Sequence, residues 1–154
     1  MGNWVEENSP EKGHQRLVEL LQELRVALPG IQVLFGFLLI VPFSARWENV
    51  TSFQQDLYFA ALLSSAAASA FLIAPSAIHR LDFARGDKPR IVQISNTLAI
   101  IGLTFLALAM VGVVLLITDV LYGGSVVIMF PVGIAAVFAL LWYGIPLFLR
   151  LTNK

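Results

Sequence analysis

The sequence predicts an all-α, polytopic membrane protein in which four transmembrane helices form a bundle, preceded by an amphipathic cytoplasmic helix. Its 154 residues are 58% hydrophobic and only 13% charged, whereas about a quarter of the residues in soluble domains are charged. The apolar residues are also concentrated in four long windows without Asp, Glu, Lys or Arg. A soluble domain of this size would lack the polar surface to cover four such helices.

Each of the four windows has the length of one membrane crossing. They are residues 27–45, 57–78, 91–118 and 120–149. A helix needs about 20 apolar residues to cross a hydrocarbon core of about 30 Å, so each window can cross once and none can cross twice. We therefore expect spans at about 28–45, 57–78, 92–118 and 125–149, within a transmembrane domain of residues 29–149. Residues 1–28 form an N-terminal segment and residues 150–154 a short tail.

The segment before the first span has the pattern of an amphipathic helix. Ser9 and Pro10 suit an N-cap and a first helical position, and leucines recur at helical spacing at Leu17, Leu20, Leu21, Leu24 and Leu28. We expect this helix to end near Pro29 and Gly30, because proline and glycine commonly mark a helix end.

Basic residues alternate between the connecting segments in a way that predicts orientation. Nine lie in the N-terminal segment, in residues 80–90 or in the tail: Lys12, Arg16, Arg25, Arg80, Arg85, Lys88, Arg90, Arg150 and Lys154. Arg46 alone lies on the opposite side. Because cytoplasmic loops carry the excess of Lys and Arg, both termini are expected in the cytoplasm. The membrane itself is expected to be the plasma (inner) membrane.

The segment RLDFARGDKPR, residues 80–90, is best interpreted as an orientation loop at the level of the lipid headgroups. Its basic residues are Arg80, Arg85, Lys88 and Arg90, against Asp82 and Asp87. This small excess of positive charge is weak for binding nucleic acid, and no nucleic-acid partner is expected. Gly86 and Pro89 favour a turn there.

The second span carries two series of small residues at intervals of four. They are Ala60, Ser64 and Ala68, and Ala61, Ser65 and Ser69. Small residues let helix backbones approach closely in lipid. The second span is therefore expected to pack centrally in the bundle, or to form an interface between subunits.

Few residues are of the types that catalyse reactions, bind ligands or carry ions. The chain has no cysteine and two histidines, and it lacks a phosphate-binding glycine loop or a nucleophile motif. Neither an enzyme, a cofactor nor a metal site is expected. Candidates for an ion pathway are Asp56 and Asp119, with Arg46 placed to pair with both, and His79 at the cytoplasmic end of the second span. The alternatives are a structural ion pair and an interfacial histidine.

Several segments resemble a known family. They are LLQELRVALPGIQVLFGFLL (20–39), FQQDLYFAALL (53–63), LIAPSAIHRL (72–81), RGDK (85–88), ITDVLYG (117–123) and LWYGIPL (141–147). They are similar to an uncharacterised family of small bacterial four-span membrane proteins, some of which carry the label sodium:proton antiporter. The resemblance implies the four-span fold and no particular site residues.

Two functions are compatible with these observations. The first is a non-enzymatic helical bundle that acts as a homo-oligomer or as a subunit of a larger membrane complex. The second is a monovalent cation/proton transporter, which the family label implies. Exchange of this kind ordinarily uses an ionisable group near the middle of the membrane, and no predicted span has an acid, a base or a histidine at its centre.

Overall fold

The computed structural model describes residues 10–45, 47–82, 88–122 and 124–152. These residues form α1 (Pro10–Ile40), α2 (Ser52–Asp82), α3 (Lys88–Leu121), α4 (Val126–Ala139) and α5 (Ile145–Thr152). Short 3₁₀ turns follow α1 at Val41–Phe43 and Trp47–Asn49, and a π-helical turn at Leu140–Gly144 joins α4 to α5. No strand occurs in the described residues. The protein is therefore all-helical, as predicted.

Four stretches are long and apolar enough to cross a membrane. They are Val18–Phe43, Ser52–Ile78, Ile91–Leu121 and Val126–Leu149. The fourth combines α4, the π-helical turn and most of α5. The prediction of an all-helical protein with four helices suited to crossing a membrane is confirmed. The amphipathic segment predicted before the first span is part of the same helix as that span.

The structure differs from the prediction at Pro29 and Gly30. The first helix does not end there but continues from Pro10 to Ile40. Proline removes a single N–H, which would have bonded to the Arg25 carbonyl, whereas ending a helix leaves four carbonyls and four N–H groups to be satisfied. Because hydrocarbon cannot hydrogen-bond to these groups, a helix continuing past proline leaves fewer of them unsatisfied than a break would.

The described residues pack as two compact units. The first unit contains residues up to 37 together with 65–105, and the second contains residues 38–64 and those from 106 onward. Helices α1, α2 and α3 each contribute to both units. Each unit has its own buried residues.

The first unit is built from small and branched side chains at alternating intervals of three and four. On α2 the buried residues are Ser65, Ala68, Leu72 and Pro75, on α3 Ser95, Ala99 and Gly102, and on α1 Leu24 and Ile31. This spacing keeps one stripe of each helix buried. Phe71 and Phe105 stack with ring centroids 5.6 Å apart. Together these contacts pack α2 against α3 in antiparallel directions.

The second unit uses the same spacing. Tyr58 and Ala61 are buried on α2, and Leu106, Ala109 and Leu116 on α3. A Cβ placed on Gly112 would lie 3.3 Å from the Ala61 Cβ, which is a tight contact. In this unit α2 and α3 therefore also approach closely at small residues.

The predicted packing residues of α2 have different environments. Ala61, Ser65 and Ala68 are buried, Ser64 and Ser69 are half-buried, and Ala60 is exposed. Each residue turns a helix by about 100°, so a strict interval of four drifts by about 40° per step, whereas alternating intervals of three and four stay on one face. The buried stripe consequently takes members from both predicted series.

Gly102 is the position where packing leaves no room for a side chain. A Cβ there would lie 2.6 Å from Cγ of Leu72, which is itself fully buried. We expect Gly102→Ala to lower the free energy of unfolding by about 1–3 kcal/mol, because a methyl group in a filled core forces strain. Denaturant titration of the purified protein in detergent measures this change.

Gly36→Ala is the matched control. In the part of the chain that the structure describes, nothing beyond the local helix backbone lies within 4 Å of a Cβ at Gly36. Alanine is favoured over glycine in helices by about 1 kcal/mol. This variant should be as stable as the original protein or more so. Equal stability of the Gly102 and Gly36 variants would contradict the close packing of α2 against α3.

Candidate functional site

The polar side chains of the second unit concentrate near the helix ends joined by residues 41–51 and 122–125. One contact there ties α2 to α1. The Tyr58 hydroxyl donates a buried hydrogen bond of 2.9 Å to the Leu38 carbonyl. In an α-helix this carbonyl would accept from the N–H of residue 42, but residue 42 is proline and has none. Tyr58 therefore supplies the donor that Pro42 lacks.

Aromatic packing holds Tyr58 in this position. The Trp47 ring meets the Tyr58 ring edge to face, with centroids 4.8 Å apart and planes at 73°. Tyr58 is 6% exposed. Edge-to-face aromatic pairs add stability beyond their buried area, so the short turn Trp47–Asn49 helps to orient the hydroxyl.

At the start of α4, a second hydroxyl lies near a carbonyl that a proline leaves without its helical donor. Pro131 has no N–H for the Val127 carbonyl, and the Thr118 Oγ1 of α3 lies 3.4 Å from that carbonyl oxygen. The same hydroxyl lies 2.8 Å from the Val114 carbonyl and 3.0 Å from the Leu115 carbonyl. A hydroxyl has one proton, so Thr118 donates mainly within α3 and only weakly to Val127. Hydroxyls commonly compensate for proline in membrane helices in this way.

A third contact joins α2 to α3 through Gln54. The Gln54 side-chain Oε1 accepts from the Thr51 backbone N–H at 3.1 Å, and the Gln54 backbone N–H donates to Thr51 Oγ1 at 3.3 Å. This reciprocal pair is a capping box at the start of α2. The Gln54 Nε2 donates to Asp119 Oδ2 at 2.8 Å. Both ends of the Gln54 amide are thus engaged, which fixes its orientation.

The electrostatics of Asp119 favour this arrangement. The residue lies in the last turn of α3, where the helix dipole disfavours negative charge, but Gln54 holds it beside the N-terminus of α2, where the dipole favours it. Asp119 is half-buried. We refer to Tyr58–Leu38, Gln54–Asp119 and Thr118–Val127 as the three ties; they connect α1 to α2, α2 to α3 and α3 to α4.

The predicted ion-pathway residues lie in different surroundings. Asp119 contacts Gln54, whereas Asp56 is exposed and follows Gln54 by two positions, so it faces another side of α2. Arg46 lies outside the described residues, as does the side chain of His79. A shared contact of Asp56 and Asp119 with Arg46 stays a prediction. Within the described part of the chain, no group of three or more His, Cys, Asp or Glu could hold a metal ion.

The predicted orientation loop is described only in part. Arg80 is exposed on α2. Arg85 lies outside the described residues, and so do the side chains of Lys88 and Arg90. Their interaction with lipid headgroups stays a prediction.

Sequence reasoning missed Gln54, Tyr58 and Thr118. The spacing of Thr51 and Gln54 is a capping-box signature, and it could have located the start of α2. The prolines at 42 and 131 indicate that the carbonyls four residues earlier need other donors. The sequence does not indicate which side chains supply them, because that depends on how the helices are rotated.

Replacing Tyr58 by phenylalanine tests the first tie. The change keeps the ring and its contact with Trp47 but leaves the buried Leu38 carbonyl without its donor. We expect Tyr58→Phe to lower the free energy of unfolding by about 1–3 kcal/mol. Tyr122→Phe is the control, because Tyr122 is 60% exposed. Equal stability of the two variants in denaturant titration would show that the Leu38 carbonyl does not depend on Tyr58.

Comparison with known proteins places the chain in a family. No curated protein and no solved structure is similar to the chain. A family model described as "Family of unknown function (DUF6328)" matches residues 6–146, which include all four apolar stretches except the last residues of the fourth. The chain therefore belongs to this family of unknown function, with four helices suited to crossing a membrane.

Proposed function

We propose that the protein is a non-enzymatic integral membrane module that acts as a homo-oligomer or as a subunit of a larger membrane complex. The observation that carries this proposal is the small contribution of the fourth membrane stretch to the core. Only 6% of the residues in its most apolar part are buried, against 28% in the second stretch. Pro131 is the one buried residue of α4.

The face of α4 opposite Pro131 has a composition suited to helix contact. Gly133 follows Pro131 by two positions and therefore faces away from it. It is exposed, and among the described residues nothing beyond the local helix backbone lies within 4 Å of a Cβ at this position. Glycine lowers helix stability by about 1 kcal/mol relative to alanine, and its usual benefit in membrane helices is close approach of a second helix. Among the described residues of its own unit, no other helix makes use of Gly133 in this way.

The engagement of the polar side chains supports a structural role. Gln54, Tyr58 and Thr118 connect helices through the three ties. Polar side chains that hydrogen-bond to backbone carbonyls or cap a helix stabilise the fold. Their roles are explained without a reaction.

Enlarging Gly133 tests the proposed assembly. The protein is extracted from native membranes in a mild detergent, and the mass of the particle and its co-purifying proteins are determined together. We expect a complex larger than one chain, and we expect Gly133→Leu to reduce its recovery because a large side chain prevents close helix approach.

Val132→Leu is the matched control for this experiment. Val132 is 59% exposed but faces about 100° away from Gly133, so the complex should persist in this variant. Recovery of a single chain without any partner from the original protein would overturn the proposal.

We place the protein in the plasma membrane with both termini in the cytoplasm. The distribution of Lys and Arg supports the orientation, because nine of these residues lie on the proposed cytoplasmic side and Arg46 on the opposite side. The chain contains no cysteine, so single cysteines report orientation without background. An impermeant maleimide should label Asn49→Cys in intact cells and Thr152→Cys only after permeabilisation. The reverse pattern would invert the topology.

A cation/proton transporter is the second candidate. The observation that favours it is the half-buried Asp119 carboxylate, held at a helix end by Gln54.

Transport through this group predicts that Asp119→Asn abolishes cation-driven proton flux in proteoliposomes. Asparagine keeps an oxygen that can accept from Gln54, so the fold should persist. Asp56→Asn tests the second predicted carboxylate, and a flux that survives both changes would exclude both residues.

A further inference from the structure

A glutamine lies on the outer surface of α1, close to the middle of the first membrane stretch. Gln32 is exposed, and its side chain makes no hydrogen bond with another described residue. It follows the start of the stretch Val18–Phe43 by fourteen residues and precedes its end by eleven. Hydrocarbon offers no hydrogen-bond partner to a carboxamide at this depth. The position of Gln32 therefore indicates that a polar partner contacts α1 from outside.

The other exposed carboxamides of the membrane stretches lie near the ends of those stretches. Gln22, Gln55, Gln93 and Asn96 are all within five residues of the start of a stretch. Side chains at such positions can reach the headgroup region and its water. Gln32 cannot, because eleven residues of helix correspond to about 16 Å at 1.5 Å per residue. Its hydrogen-bonding groups need a partner inside the membrane.

Gln32 shares its face of α1 with residues that leave it accessible to another helix. At about 100° per residue, Gly36 lies about 40° and Pro29 about 60° from Gln32 around the helix. Pro29 is exposed, and among the described residues nothing beyond the local helix backbone lies within 4 Å of a Cβ at Gly36. The fully buried Ile31 lies about 100° from Gln32. Within its own unit, this face of α1 therefore has room for a neighbouring helix.

We infer that this face of α1 binds the same face of a second copy of the chain, and that the two Gln32 side chains hydrogen-bond to each other. A carboxamide carries an acceptor oxygen and two N–H donors, so two of them are complementary. Copies inserted in the same orientation hold Gln32 at the same depth, and a twofold axis along the membrane normal pairs a residue near the axis with itself. Glutamine side chains hydrogen-bond across membrane helices in this way. A second copy thus supplies the required polar group at the required depth.

Disulfide cross-linking in native membranes tests this inference, which rests on the proposed function and selects the homo-oligomer from it. Gly36→Cys places a single thiol on the Gln32 face of a cysteine-free chain and keeps Gln32. Oxidation with iodine, which enters the bilayer, should convert most of this variant into a dimer of twice the chain mass. Phe37→Cys is the matched control, because Phe37 is 67% exposed at nearly the same depth but faces about 100° away from Gly36. It should stay largely monomeric.

The mass of the particle extracted in mild detergent separates this inference from the proposed assembly. Equal dimer fractions for Gly36→Cys and Phe37→Cys, or no dimer for Gly36→Cys, would overturn the inference. If the particle were then still larger than one chain, the proposed function would stand with a different interface or partner. A particle of one chain would overturn both.

Replacement of Gln32 in the Gly36→Cys protein tests the hydrogen bond itself. Gln32→Leu should lower the dimer fraction several-fold, because leucine cannot donate or accept a hydrogen bond. Gln93→Leu is the control, since it removes an exposed carboxamide near the start of the third stretch, and it should leave the dimer fraction unchanged. An unchanged dimer fraction in Gln32→Leu would overturn the pairing of the two Gln32 side chains.

Discussion

The structure depends on satisfying backbone carbonyls where water is scarce. A helix does this internally, and each proline inside a helix removes one donor. At two such points a hydroxyl from the next or the preceding helix approaches the carbonyl that proline leaves free, Tyr58 for Leu38 and Thr118 for Val127. The prolines that weaken single helices therefore coincide with contacts to a neighbouring helix, a full hydrogen bond at Tyr58 and a weak one at Thr118. The Gln54 contact with Asp119 completes the connection of all four spans.

Beyond the ties, packing depends on small residues. Gly102 against Leu72 and Gly112 against Ala61 bring α2 and α3 together without polar contacts. Dispersion is the main attraction available between helices in lipid, and it falls steeply with distance, so close approach is needed for it to contribute. The glycines are therefore as necessary to this pair of helices as large side chains are to a soluble core.

The predictability of these features from sequence differs with their physical origin. The four spans could be predicted because charge-free windows of sufficient length allow few alternatives. The continuation of α1 through Pro29 could not, since a local preference for ending the helix competes with the penalty for exposing backbone groups to lipid. The sequence could predict that Ala61, Ser65 and Ala68 pack against another helix. A strict interval of four, however, groups them with residues that are not all on the buried face. The sequence predicts Asp119 as a candidate for an ion pathway. It does not predict the role of Gln54, because that role depends on the rotation of α2 relative to α3.

The π-helical turn at Leu140–Gly144 has a consequence for how the fourth span meets its surroundings. In this turn the Ile145 N–H donates to the Leu140 carbonyl, five residues back, so one residue more than usual is accommodated. The extra residue rotates everything after it by about 100° relative to a regular helix. A stripe of side chains that begins on α4 therefore does not continue on α5. The fourth span accordingly presents two surfaces of different direction to the membrane, and a straight neighbouring helix could follow only one of them.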